Sequence, residues 1–115
     1  SARVDGSTCT TQWCTMTLQN SWVAYGSVYT TPRYTKASDG VVHLKGLVRS
    51  GTTTDGTTLA TLPAGYRPAQ QYLKSVQSAD AWARIDILPN GVIQVKSGVS
   101  ATWLSLDNVS FVAEQ

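Results

Sequence analysis

Cys9 and Cys14 bracket Thr10-Thr11-Gln12-Trp13 and are the two cysteines of the chain. The spacing suits a disulfide across a tight turn, with two free thiols as the alternative. It does not suit zinc, which wants closely spaced pairs and four ligands, and His43 is the one histidine. Closing so small a loop would stabilise by ~2 kcal/mol in the chain-entropy model, so a bond here pins an N-terminal arm. His43 reads as an outward strand residue, since no acid, nucleophile or second histidine stands near it in sequence; catalysis or pH sensing is the alternative.

Acid–base chemistry finds little to work with. Asp39 and Asp55 each precede glycine and Asp107 precedes Asn108, which is turn chemistry. Asp80 and Asp86 are the one pair of carboxylates to consider, but Asp86 lies between basic cross-strand neighbours and reads as half of a surface ion pair. There is no Gly-x-Ser-x-Gly elbow, phosphate loop, dinucleotide fingerprint or histidine-rich metal set. The expectation is a protein that is not an enzyme and needs no cofactor or metal.

The aromatic residues say more. Four Trp and five Tyr against one Phe give large rings with polar tips, as found on sugar platforms and subunit interfaces. Trp22 and Trp103 lie in strands and read as core, with ligand platforms as the alternative. Tyr25, Tyr29, Tyr66 and Tyr72 flank loops, and Trp82 falls on a polar strand face, either packed under a loop or free to meet a ligand or subunit. Tyr29, Trp82, Arg84 and Asp86 are the candidate ligand-binding residues. Asn108-Val109-Ser110 matches a glycosylation sequon but carries little information alone.

These residues need elements to position them, and the clearest is a hairpin over Ala81 to Ser97. Pro89-Asn90-Gly91 predicts a three-residue loop, because proline presets the first turn position and glycine accepts the left-handed conformation that closes it. Leu88 then faces Val92, Ile87 faces Ile93, Ile85 faces Val95 and Ala83 faces Ser97, which makes one face apolar. The reverse face carries Trp82, Arg84, Asp86, Gln94 and Lys96. A two-residue Asn-Gly loop would mix the faces and is rejected.

Other strands follow by the same alternation: Trp22 to Tyr25, Arg33 to Lys36, Val41 to Arg49, Thr58 to Leu62, Gln71 to Ala79 and Ala101 to Val112. In Val41 to Arg49, Val42, Leu44 and Val48 share a face, with Gly46 where something packs closely. In the last strand Leu104 and Leu106 have one parity and Val109 and Phe111 the other, so a bulge at Asp107-Asn108 is expected to return all of them to the core. Two prolines make Pro63 to Pro68 a fixed-shape crossing. About eight or nine short strands without helical periodicity predict an all-β fold, an antiparallel, jelly-roll-like β-sandwich over 18–115, preceded by an arm over 1–17.

At 115 residues the chain is one domain able to bury a core. Its net charge of +2 is scattered as single Lys and Arg, with no run to track a phosphate backbone, so nucleic acid is not an expected partner. Only 14% of residues are charged while Thr, Ser and Gly abound, which favours an extracellular β-protein. No stretch approaches the about 20 apolar residues of a membrane-spanning helix, so membrane insertion is not expected. Ser1 to Thr8 read like the end of a linker, with more protein expected upstream.

Taken in order, Trp22-Val23-Ala24-Tyr25-Gly26, Pro32-Arg33-Tyr34-Thr35-Lys36, Gly40 to Val48, Thr61 to Pro68 and Trp103 to Phe111 form a pattern. It resembles a family of small all-β domains in bacteriophage tail-fibre, head-fibre and related virion proteins, covering Leu18 to Phe111. The resemblance implies a β-sandwich on the virion surface, commonly a homotrimer, that attaches to a host-surface glycan or receptor. It carries over no catalytic residues and no sugar site, and the Cys pair falls outside it. No heptads or collagen repeat precede the domain to enforce a trimer. The other readings are a monomeric carbohydrate-binding module of a secreted enzyme and a purely structural fibre cap or capsid decoration.

Overall fold

The computed structural model describes residues 9, 10 and 12–115; the linker reading of Ser1 to Thr8 lies outside them. Alternating apolar residues produce β1 (Cys14–Thr15), β2 (Val23–Ala24), β3 (Arg33–Lys36), β4 (Val41–Lys45), β5 (Leu47–Arg49), β6 (Thr58–Thr61), β7 (Tyr72–Ser78), β8 (Ala81–Ile87), β9 (Val92–Val95), β10 (Leu104–Ser105) and β11 (Val109–Val112). They form two antiparallel sheets: a four-stranded sheet in the order β1-β3-β4-β11, and a seven-stranded sheet in the order β2-β5-β10-β7-β8-β9-β6. The all-β sandwich expected from the alternation is the fold observed, with no α-helix among the described residues.

The hairpin has its expected register, with Ile85 opposite Val95 and Ile87 opposite Ile93, all fully buried. Its loop is closed by Gly91 at φ 89°, whose amide donates to the Leu88 carbonyl. At the open end the pairing departs from expectation. The Lys96 amide donates to the Arg84 carbonyl while the Arg84 amide donates to that of Ser97, so Arg84 faces two residues. This bulge displaces the expected Ala83–Ser97 pairing.

The strand count exceeds expectation because two long runs are each divided and Cys14–Thr15, expected in the arm, adds a strand at the edge of the small sheet. Val41 to Arg49 breaks at Gly46, so β4 joins the small sheet and β5 the large one. A Cβ at Gly46 would fall on the Pro32 backbone, and its φ of +121° is one that side chains rarely adopt. The 104–112 run divides the same way: Leu104, Leu106, Val109 and Phe111 are all buried, as expected, but by passing between sheets at Asp107-Asn108. The two crossings are tied together, the Leu106 amide donating to the Gly46 carbonyl (2.8 Å) and the Gly46 amide to Asp107 Oδ1 (2.9 Å).

Cys9 and Cys14 are disulfide-bonded, with Cα atoms 5.6 Å apart. Cys9 is buried, its amide donating to the Tyr66 hydroxyl (3.3 Å), and Met16 is buried as well. Tyr66, expected beside a loop, is core: its ring meets Tyr34 edge to face at 5.3 Å, because the Pro63 to Pro68 crossing folds it inward. Trp22 is core, as expected, with Gly51 packed so closely that a Cβ there would overlap the indole.

Candidate functional site

On the large sheet the outward residues form rows across the strands. Leu47 of β5 is opposite Ser105 of β10, Gln77 of β7 is opposite Trp82 of β8, and the Leu104–Ser78 pairing sets Ser105 beside Gln77. Their strand neighbours Val48, Leu104, Ser78 and Ala83 point into the core, so alternation turns this row to the outside. Trp103 precedes Leu104 and is outward by the same parity. It is only partly buried, which corrects the expectation that it belongs to the core.

The segment after β2 stands over one end of this face. Two backbone bonds tie it to β5, from Tyr25 N–H to the Leu47 carbonyl and from Leu47 N–H to that of Thr30, and one within it runs from Tyr29 N–H to the Gly26 carbonyl. Ser27 at φ 56° turns the chain, and the Tyr25 and Tyr29 rings meet edge to face at 5.1 Å. Arg49 lies over the Tyr25 ring (5.4 Å) and donates Nε to the Tyr25 carbonyl, which fixes the aromatic pair from the other side.

Between this segment and the sheet is an open cleft of about 470 Å³, within the range of small-ligand sites. Leu47, Ser105 and Gln77 floor it, the rings of Tyr25, Tyr29 and Trp103 wall it, and Asp80 and Asp107 border it. No Lys or Arg lines it among the described residues. Asp80 arrives there through the two-residue β7–β8 turn, in which Ala79 (φ 49°) and Asp80 (φ 66°) both take the left-handed conformation such a turn requires. Hydroxyl, amide and carboxylate groups among aromatic rings can grip a polar ring-shaped ligand from its edge and its face.

The sequence-derived candidates separate into two groups. Tyr29, 52% exposed, is in the wall of the cleft; Trp82, 72% exposed, stands on the same sheet face next to Gln77. Arg84 and Asp86 lie further along β8, opposite Ser75 and Leu73, and do not line the cleft. Asp86 was expected in a surface ion pair but is 1% exposed. Arg84 donates Nε to Oδ1 (2.8 Å) and Nη2 to Oδ2 (2.9 Å), and Gln71 donates to Oδ2 (2.7 Å), a cap of donors that supports burial. Burial raises the pKa of the Asp86 carboxyl, but hydrogen bonds from Arg84 and Gln71 and the Arg84 and Lys96 charges outweigh it and leave the value lowered. Lys96 makes its own ion pair with Asp55 (2.6 Å).

Sequence reasoning passed over Gln77, favoured the core for Trp103 and weighed Asp80 only as one of a carboxylate pair. The parity that put Leu104 in the core already carried Trp103 and Ser105 outward, whereas the approach of the Tyr25 to Thr30 segment had no local signal. His43 is exposed, as expected. Among the described residues no group of His, Cys, Asp or Glu is placed to hold a metal, and no helix is long and apolar enough to cross a membrane.

No protein-family model and no curated protein sequence matches the chain. A solved structure does. The fold is similar to that in the crystal structure of the receptor binding protein (gp15) of Listeria phage PSA, with a TM-score of 0.66 and 26% sequence identity. The likeness covers 90% of this chain and 66% of the phage protein, so the chain spans just under two thirds of that neighbour. The resemblance to phage fibre-type domains, drawn from ordered motifs, thus has a counterpart in three dimensions.

Proposed function

We propose that this chain is a virion fibre domain, of a tail or head fibre, that attaches to the host surface by recognising glycan and performs no catalysis. The observation that carries this reading is the aromatic cleft on the outer face of the large sheet, on a fold shared with a phage receptor binding protein. Sugar rings present one apolar face and a polar edge. Tyr29 and Trp103 offer ring surfaces for the face, and Gln77, Ser105 and Asp80 offer hydrogen-bonding groups for the edge. Trp82 extends the platform along the row, and Arg84, braced by Asp86, supplies a cation beyond it.

An open, shallow site binds each copy weakly. Linked copies raise overall binding by about 10²- to 10⁴-fold without new contacts, so a homotrimer at the virion surface fits the chemistry. The extracellular virion surface is the corresponding location.

The test is display of the domain in multivalent form against host cells and a glycan array, repeated with Tyr29→Ala, Trp103→Ala and Trp82→Ala. Glycan binding lost in the cleft variants supports the reading. Binding unchanged by all three substitutions discards this site and keeps the function, whereas no binding in any format favours a structural fibre cap. Glycan binding by a stable monomer favours a carbohydrate module of a secreted enzyme.

A further inference from the structure

We infer that the cleft is one half of a longer groove, which takes the interior of a linear polysaccharide chain instead of a single terminal sugar; this rests on the glycan reading above. A second concavity, of about 710 Å³, lies against the small sheet, lined by Trp13, His43, Lys45, Asn108 and Ser110. It shares Thr30 and Asp107 with the first cleft. The two therefore meet where the chain passes from one sheet to the other.

Each half has an exposed ring in its wall, Tyr29 at 52% and Trp13 at 41%. Trp13 is held in place without belonging to the core. It sits inside the Cys9–Cys14 loop with its ring 3.9 Å from the Lys45 ammonium, and the Thr35 hydroxyl lies within hydrogen-bond reach of the Gln12 carbonyl (2.6 Å) and the Cys9 carbonyl (2.8 Å). The loop and Lys45 thus hold the indole in one place while 41% of it stays open to solvent. Stacking on a ring already held in place costs less entropy than ordering a mobile one.

The junction is polar and equally fixed. Asp107 Oδ1 is engaged by the Gly46 amide, while its other carboxylate oxygen has no hydrogen-bond partner among the described residues. The groove thus presents Thr30 and Asp107 at the junction and Asn108 and Ser110 in the second half, groups that pair with sugar hydroxyls along a chain.

The test prints fragments of linear bacterial-surface polysaccharides as mono-, di-, tetra- and hexasaccharides and reads binding of the multivalently displayed domain. Binding is expected to rise by about tenfold or more from disaccharide to hexasaccharide. Trp13→Ala should return the hexasaccharide to the disaccharide level, Trp13→Tyr should retain most of the gain, and Tyr29→Ala should weaken every length. Because Trp13 lies outside the core, both of its variants should keep a single cooperative melt, Trp13→Ala shifted down slightly through the lost Lys45 contact, which separates lost stacking from lost folding. Equal binding at all lengths, or a Trp13→Ala variant that binds hexasaccharide as the parent does, overturns the long groove and leaves a terminal-sugar site. Absence of binding at every length overturns the groove and the glycan reading together.

Discussion

The backbone amide of Gly46 donates to the Asp107 carboxylate at 2.9 Å, and on either side of that bond the chain belongs to different sheets. One side chain thus couples the β4–β5 crossing to the β10–β11 crossing and sits where the two concavities meet. Asp107→Ala should leave the Gly46 amide unpaired and cost about 1–3 kcal/mol in denaturant unfolding. Gly46→Ala should cost more, through overlap with Pro32 and an unfavourable φ.

The two faces of the hairpin should respond oppositely. Ile85→Ala removes a fully buried side chain and should cost about 2–5 kcal/mol, read as a shifted urea midpoint. Trp82→Ala, at 72% exposure, should change stability by no more than about 0.5 kcal/mol.

Asp86 predicts a specific acid sensitivity. Its folded-state pKa is lowered from an ordinary 3.8, so folding favours the ionised form and the unfolded chain binds the proton more readily. The stabilisation is fully present above the unfolded value and is lost as pH falls through the folded one. Melting temperatures of the parent and Asp86→Asn should therefore differ most near neutrality and converge as pH falls below the ordinary value of 3.8 and through the lowered folded-state one. A difference that stayed constant from neutrality to acid would count against this assignment.

The disulfide should leave no thiol reactive to alkylation before reduction, as read by intact mass. Replacing Cys9 and Cys14 by alanine should lower stability by about 2 kcal/mol, with a cooperative melt retained and the arm loosened.

For assembly, the expected outcome is a homotrimer by light scattering, with the hairpin's outer face lying beside the contact so that Trp82 stays open. A mass that stays monomeric at every concentration would falsify this and favour the secreted-module reading.

The hairpin was legible because period-two alternation and the Pro-Asn-Gly loop are local: they set which residues of neighbouring strands face each other and which face is apolar. The same parity carried Trp82 outward and, read one residue before Leu104, would have carried Trp103 outward too. What covers a face is not local. Asp86 is buried because Arg84 and Gln71 close over it, Tyr66 because a proline-bounded crossing turns it onto Tyr34, and the cleft exists because the Tyr25 to Thr30 segment is tied above β5. The division of Val41 to Arg49 between sheets likewise needed the Asp107 carboxylate, 61 residues on from Gly46. Alternation in this chain determines strands, faces and one register, whereas sheet membership, buried charge and the shape of the groove depend on contacts between distant segments that only folding brings together.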